Sequence, residues 1–372
     1  MRHLKNIFNL GLKEFMGLWR DKVMFALLIY AFTFGIYVGA VSLSSELRNA
    51  PVAFIDEDRS ELSARIIDSF YGPYFTKPEL IDIAQADKGL DSGIYTFVVD
   101  IPPDFEKDIM RGQKPSLQLN IDATRMTQAG VGSGYVQNII VKEINAFVHP
   151  SQTAELPIDI VTRVKYNANL ESSWFGGVME MVNNIAMFSI LLTGAAFIRE
   201  REHGTLEHLL VMPLNAFEVM MAKIWSMGLV VLIMSSLSLQ IILKGIIGVP
   251  VQGSMALFMC GSALLLFSTT SMGIFLGTIS RTMPQLGLLF ILTILPMEVL
   301  SGGFTAFDSM PLTVQRIMMV APTPHFVALA QGIIFRGAGL AEVWHNMVVM
   351  FVIGLVFFSL SLILFRKSLS SS

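Results

Sequence analysis

The chain has 372 residues, 53% of them hydrophobic and only 15% charged, with a mean hydropathy of +0.60, which excludes an ordinary soluble enzyme and places most of it in a membrane. The net charge of -3 conceals an asymmetry, -7 over residues 44–172 and +4 over the rest, so an acidic soluble segment is set into a chain whose apolar parts carry basic flanks. The single cysteine, Cys260, lies in an apolar run and excludes a disulfide within the chain.

At the start, Leu4, Ile7, Phe8, Gly11, Leu12, Phe15, Leu18 and Trp19 recur at helical spacing, with Lys5, Asn9, Lys13, Arg20 and Lys22 off that face. This is the pattern of a helix lying in a membrane surface, over residues 1–22; an extended end of the first span is the alternative. Residues 23–41 carry no charge, about the ~20 residues that cross a hydrocarbon core. The run and its 22-residue leader are too long for a cleavable signal, so the first span, 23–43, is expected to be retained.

Residues 44–172 change pattern. "PVAFID", "GIYTFVVDIP", "SLQLNID" and "IDIVTRVKY" read as strands, and "SELSARIIDSF" and "FEKDIMRG" as helices, which predicts a mixed α/β domain. Pro102 and Pro103 are expected to end a strand and open the next helix at its first turn. "GVGSG", residues 130–134, lacks the third glycine of a dinucleotide loop and is read as small-residue packing.

Further apolar runs cover residues 177–198, 223–247, 255–279, 285–301 and 343–365, giving six spans and both termini on one side. Arg2, Lys5, Lys13, Arg20, Lys22, Arg199, Arg201, Lys223, Arg281, Arg366 and Lys367 all fall on that side, which the positive-inside rule makes cytoplasmic. The opposite side has Lys244, Arg316 and Arg336 in its shorter connections and receives the acidic domain, the periplasm in a bacterium with two membranes. The connection 302–340 contains "TVQRIMMVA" and "FVALAQGIIF", apolar pieces too short to cross, and is expected to re-enter the outer leaflet. Gly35 with Gly39 and Gly273 with Gly277 form GxxxG pairs that let helices approach closely. Glu180, Asn183, Asn184 and Met187 follow i, i+3, i+4, i+7 spacing and line one face of the second span. Polar groups at that depth mark a translocation path or subunit seam, unless Glu180 simply reaches water and the asparagines bond neighbouring helices.

The most unusual stretch is "REREHGTLEHLLVMP", residues 199–213, between two apolar runs. A metal site of His203 and His208 with Glu202 and Glu207 fails on spacing: a zinc helix needs histidines four apart, and five residues turn a helix by about 500°. A solvated positive loop is one remaining reading. The other is a docking element, in which Gly204 turns, Thr205 caps a short helix with Glu207 near its positive end, and Pro213 stops it. Asn215 with Glu218 then makes a capping-box start for the helix entering span three.

With "REREHGTLEHLLVMPL" after the second span, "FVVDIPPDFEKDI" in the outer domain, "YNANLESSWF" before span two and "SGGF" before the last, nearly the whole chain resembles the type-2 ABC transporter permeases of bacterial inner membranes. The resemblance implies an α-helical polytopic fold of the type V exporter kind, six transmembrane helices with an inserted mixed α/β periplasmic domain, 44–172, and residues 173–372 holding spans two to six. It implies an exporter of drugs or other amphipathic substrates. The coupling segment 199–222, through Arg199, Glu200, Arg201, Glu202, His203, Gly204, Thr205 and Glu207, and the first helix, through Phe15 and Trp19, would contact a separate ATPase subunit. The implied partners also include a second permease subunit, identical or paralogous, and a periplasmic membrane-fusion adaptor. Ala168 and Leu312 stand where relatives often carry proline. No G-x-x-x-x-G-K-[ST] occurs, so ATP and Mg are expected on the partner ATPase; no cofactor, metal or catalytic group is expected in this chain, and no nucleic-acid partner. A membrane-anchored periplasmic ligand sensor is the rival reading, with no cytoplasmic output domain in its favour, and an intramembrane hydrolase is the second, with no G-x-S-x-G nucleophile.

Overall fold

A computed structural model of the chain describes residues 2–42, 47, 49–122, 126–148, 171–202, 215–303, 305 and 307–370. Two compact units result: one formed by the N-terminal segment to residue 44 together with residues 164–372, the other by residues 45–163.

Among the described residues, the second unit is a four-stranded mixed sheet, in the spatial order Glu79–Leu80, Val52–Asp56, Phe97–Ile101, Gln118–Ile121. β1 (Val52–Asp56) pairs parallel with β2 (Glu79–Leu80) and β3 (Phe97–Ile101), and β3 pairs antiparallel with β4 (Gln118–Ile121). The two-residue period sorts the side chains. Phe54, Phe97, Val99 and Ile101 join Leu62, Ile66, Val136 and Ile140 of two helices in one core, while Ala53, Ile55 and Val98 meet Ala86 on the other face. Helices cover both faces, as parallel pairing requires. Pro102 and Pro103 do end β3, but the next helix begins at Phe105, after Asp104 in the left-handed conformation at φ 59°, so the prolines precede that helix instead of opening it. Within "GVGSG", which lies in the helix Met126–Val148, a Cβ at Gly132 would stand 2.3 Å from the Phe97 ring, whereas Gly130 and Gly134 face open space. The strand expected from "IDIVTRVKY" lies outside the described residues.

The first unit is helical. Among the described residues, five helices are long and apolar enough to cross a membrane: Lys22–Ser42, Ser172–Glu202, Ala216–Ile247, Met255–Ile279 and Leu340–Lys367. The expected span at 285–301 is the helix Met283–Val299, 17 residues or about 25 Å, short of a ~30 Å core. Connection 302–340 forms two helices, Leu312–Met318 and Pro322–Ile334, with a 93° bend across the break between them, the geometry of a re-entrant segment or of a broken sixth span. Thus the chain is a polytopic helical membrane protein, with five or six candidate spans among the described residues.

Two spans carry π-helical stretches, Ala31–Gly35 in the first and Leu239–Ile247 in the third. Packing rests on small residues. A Cβ at Gly273 would stand 2.5 Å from the Ile190 carbonyl, and one at Gly277 would stand 3.2 Å from the Gly194 carbonyl, so this GxxxG pair seats the 255–279 helix on the backbone of the 172–202 helix. Gly39 instead packs on the Glu180 side chain, and Gly35 meets only its own helix. A hydroxyl stitches the same contact, Ser189 donating to Thr269 Oγ1 at 2.6 Å, and another, on Ser268, donates to the Met350 carbonyl and so ties the 255–279 helix to the last helix.

Candidate functional site

Charged side chains gather at one end of the helical unit, around the last residues of the 172–202 helix. Its last four residues, Arg199, Glu200, Arg201 and Glu202, are consecutive charges that point around the helix at about 100° steps. Each reaches a different element. Arg199 lies 3.4 Å from Asp21, which also caps the first span by accepting from the Met24 N–H at 3.1 Å. Arg201 donates to the Ser280 carbonyl at 2.9 Å and the Thr278 carbonyl at 3.4 Å, satisfying the end of the 255–279 helix, whose last carbonyls lack intrahelical donors. Glu202 accepts from the Met283 N–H at 2.9 Å, at the start of the next helix.

Glu200 enters a buried cluster. Lys223, 1% exposed, lies 2.8 Å from Glu200 and 2.9 Å from Glu14 of the N-terminal helix α1 (Arg2–Arg20), and the two carboxylates are themselves only 12% and 13% exposed. Lys13 approaches Glu200 from the exposed side at 3.2 Å. Burial pushes the Glu14 carboxyl above its ordinary value, with the Lys223 ammonium pulling in the opposite direction. A cavity of about 160 Å³ adjoins this cluster, lined by Lys13, Glu14, Arg199 and Glu200 among apolar side chains.

The polar side of α1 therefore holds the helix to the bundle. His3 Nδ1 and Asn6 Nδ2 approach Glu218 Oε1 at 2.7 and 3.2 Å, while Glu218 Oε2 accepts from the Asn215 N–H at 2.8 Å, completing the expected capping box. Trp225 Nε1 donates to the Ile7 carbonyl at 3.1 Å, and its ring stacks on Phe8 and fills the space left at Gly11, where a Cβ would stand 2.2 Å away. Leu4, Leu12 and Met16 remain exposed.

Of the expected coupling residues, Arg199, Glu200, Arg201 and Glu202 are brought into this junction. His203, Gly204, Thr205 and Glu207 lie outside the described residues. Phe15 and Trp19 sit elsewhere, in an apolar groove with Phe25 and the 216–247 helix. Lys223 and Glu14 were missed as site residues; the available signal was a lysine eight residues inside an apolar helix and a carboxylate on the basic side of α1. The stripe on the second span divides. Asn184 Nδ2 donates to the Ala31 carbonyl at 3.1 Å, at the π-helical stretch, and Glu180 packs on Gly39, so both face the first span of the same chain. Asn183 is buried and Met187 half-buried among apolar neighbours.

The helical unit defines a polytopic membrane protein, and its sequence relatives make it a permease. The model of the ABC-2 family transporter proteins matches residues 22–363, and the chain belongs to that family. It is 54% identical to the inner membrane transport permease YhhJ of Escherichia coli strain K12 over 372 residues, covering all of both chains. It is also similar to two proteins of that strain: the "Probable multidrug ABC transporter permease" YbhR, 26% identical over 97% of this chain and 98% of the relative, and YbhS, of the same description, 28% identical over 91% and 87%. The chain is thus an ABC-2 family transport permease.

Proposed function

We propose that this chain is the membrane subunit of an ATP-driven exporter of the bacterial inner membrane, moving drugs or other amphipathic molecules outward. A separate ATPase subunit binds ATP and Mg at the cytoplasmic end, a second permease subunit completes the translocation unit, and a periplasmic adaptor meets the acidic α/β unit. Both termini lie in the cytoplasm. The names of YhhJ, YbhR and YbhS support the membrane and the multidrug substrate class, and the basic residues around the junction support the orientation.

The observation that carries the reading is the junction itself. Four consecutive charges tie the end of the second span to the first, third and fourth spans, α1 and the start of the 283–299 helix. The segment 203–214 continues directly from them. A push delivered there by an ATPase would be felt by most of the bundle at once, which a solvated loop would not accomplish. Asn183 and Met187 stay as candidates for the path or the subunit seam, since Glu180 and Asn184 are engaged with the first span.

The test is uncoupling. Glu202→Ala releases the 283–299 helix and Gly204→Pro removes backbone freedom from the connection; each should leave the ATPase bound and hydrolysing while export falls. Normal export by both variants returns the segment to a solvated loop.

A further inference from the structure

We propose that the groove between α1, the first span and the third-span helix is a binding site for an anionic phospholipid, one acyl chain lying in the groove and the headgroup phosphate resting against Arg20 and Lys22. The inference rests on the reading that the chain is a membrane permease, but not on export.

The groove encloses about 230 Å³ and every side chain lining it is apolar. One wall is Phe15, Trp19 and Phe25, with Trp19 and Phe25 ring centroids 4.7 Å apart. The other is Val230, Ile233, Met234 and Leu237, which follow i, i+3, i+4, i+7 spacing and so run lengthwise along the helix for about 10 Å. A lengthwise apolar slot suits a hydrocarbon chain rather than a compact polar molecule. It is also open: Trp19 is 62% and Leu237 50% exposed.

The charges at its rim select the headgroup. Arg20 ends α1 one residue after Trp19, and Lys22 begins the first span one helical turn before Phe25. Both are exposed, and among the described residues neither has a carboxylate partner. Lys13, Arg199 and Lys223 nearby are all paired. Asp21, between the two rim cations, has its charge matched by Arg199 at 3.4 Å, so the excess of Arg20 and Lys22 remains. The rim therefore presents two uncompensated positive charges beside an indole, the chemistry that holds an anionic lipid at the boundary of the hydrocarbon region.

The full-length protein is placed in phosphatidylcholine vesicles containing a minor fraction of either phosphatidylglycerol or phosphatidylcholine brominated on the acyl chains. The quenching of Trp19 is taken as the difference from a Trp19→Phe protein, and no ATPase or transport is needed, so failure of the export assay leaves this result intact. Brominated phosphatidylglycerol should quench Trp19 several-fold more than brominated phosphatidylcholine, and Arg20→Gln and Lys22→Gln should each lower that excess about fivefold. Both residues are exposed and unpaired, so their loss leaves the fold unchanged. Equal quenching by the two lipids, or an excess that survives Arg20→Gln with Lys22→Gln, overturns the proposal. A Trp19 shielded from both lipids overturns it too and gives the groove to protein, such as a second copy of the chain.

Discussion

Lys223→Met removes the one ammonium that Glu14 and Glu200 share and leaves an apolar side chain of similar length. Lys223 is 1% exposed and lies 2.9 and 2.8 Å from carboxylates that are themselves almost buried, so the variant strands two negative charges away from water. Breaking one buried pair in this way costs about 3–5 kcal/mol. Lys13 cannot make up the loss, since its side chain is 58% exposed and an exposed pair contributes about 0–1 kcal/mol. Among the contacts still holding α1 are the hydrogen bond from Trp225, about 1 kcal/mol, the Phe8 stack, about 0.5–1.5 kcal/mol, the Glu218 pair and the buried Leu18. A loss of about 3 kcal/mol raises the undocked population of α1 roughly a hundredfold. Trypsin reads this directly, because Lys5, Lys13 and Arg20 lie in α1 and cleavage tracks the open population when closing is fast. The triple variant Lys223→Met with Glu14→Gln and Glu200→Gln removes all three charges and should recover most of the protection. Wild-type cleavage of the single variant would refute the argument; a triple variant as labile as the single would show that packing, not stranded charge, sets the cost.

Arg199→Gln breaks a pair whose partners are 44% and 30% exposed, so its unfolding temperature should barely move; a drop matching that of Lys223→Met would contradict this division between buried and exposed charge. Gly273→Leu forces a side chain into the Ile190 carbonyl, which cannot swing aside, and should destabilise the purified protein by about 1–3 kcal/mol or prevent its assembly; an unchanged melting curve would remove this contact from the packing account. In the α/β unit, Gly132→Val drives a branched side chain against Phe97 and should lower the full chain's resistance to proteolysis within residues 47–148, with unaltered resistance counting against that packing. Asn184→Leu loses the bond to the Ala31 carbonyl at a cost of about 0.6 kcal/mol, at most about 1.7, measured by unfolding in bilayers; no change would mean that carbonyl is satisfied without the amide.

Hydropathy and period carried most of the architecture because each reads a local property. The run 23–41, the strands in "PVAFID" and "TFVVDI" and the capping box from Asn215 to Glu218 all depend on neighbours within a few residues, and each appears where its pattern lies. Features set by tertiary contacts were harder to read. The 283–299 helix starts two residues before the expected 285, where Glu202 accepts from the Met283 N–H. The two prolines after β3 resemble a helix start in sequence, yet Asp104 intervenes in a left-handed turn. Nothing local marks Gly132 over Gly130 or Gly134; only the position of the Phe97 ring distinguishes them.

The same division explains the charged block. That "RERE" differs from its surroundings is plain in sequence, while its composition and turn residues left a docking element and a solvated loop both open. Its partners are Asp21, Lys13, Lys223, the carbonyls at 278 and 280 and the Met283 N–H, separated from it by between 23 and 187 residues. No pattern search within a helix reaches that far. The alternation of signs nevertheless has a physical reason. Helix ends expose carbonyls where the 255–279 helix stops and N–H groups where the 283–299 helix starts, and these require a cation and an anion respectively. Arg201 and Glu202 meet the two termini in that order. Arg199 and Glu200 likewise meet an acidic cap on the first span and a lysine inside the third. Runs of a single sign would leave half of these groups facing like partners. The alternation is thus what lets one short segment grip several helices, and a change in the sign of any one residue is expected to loosen one helix rather than all of them.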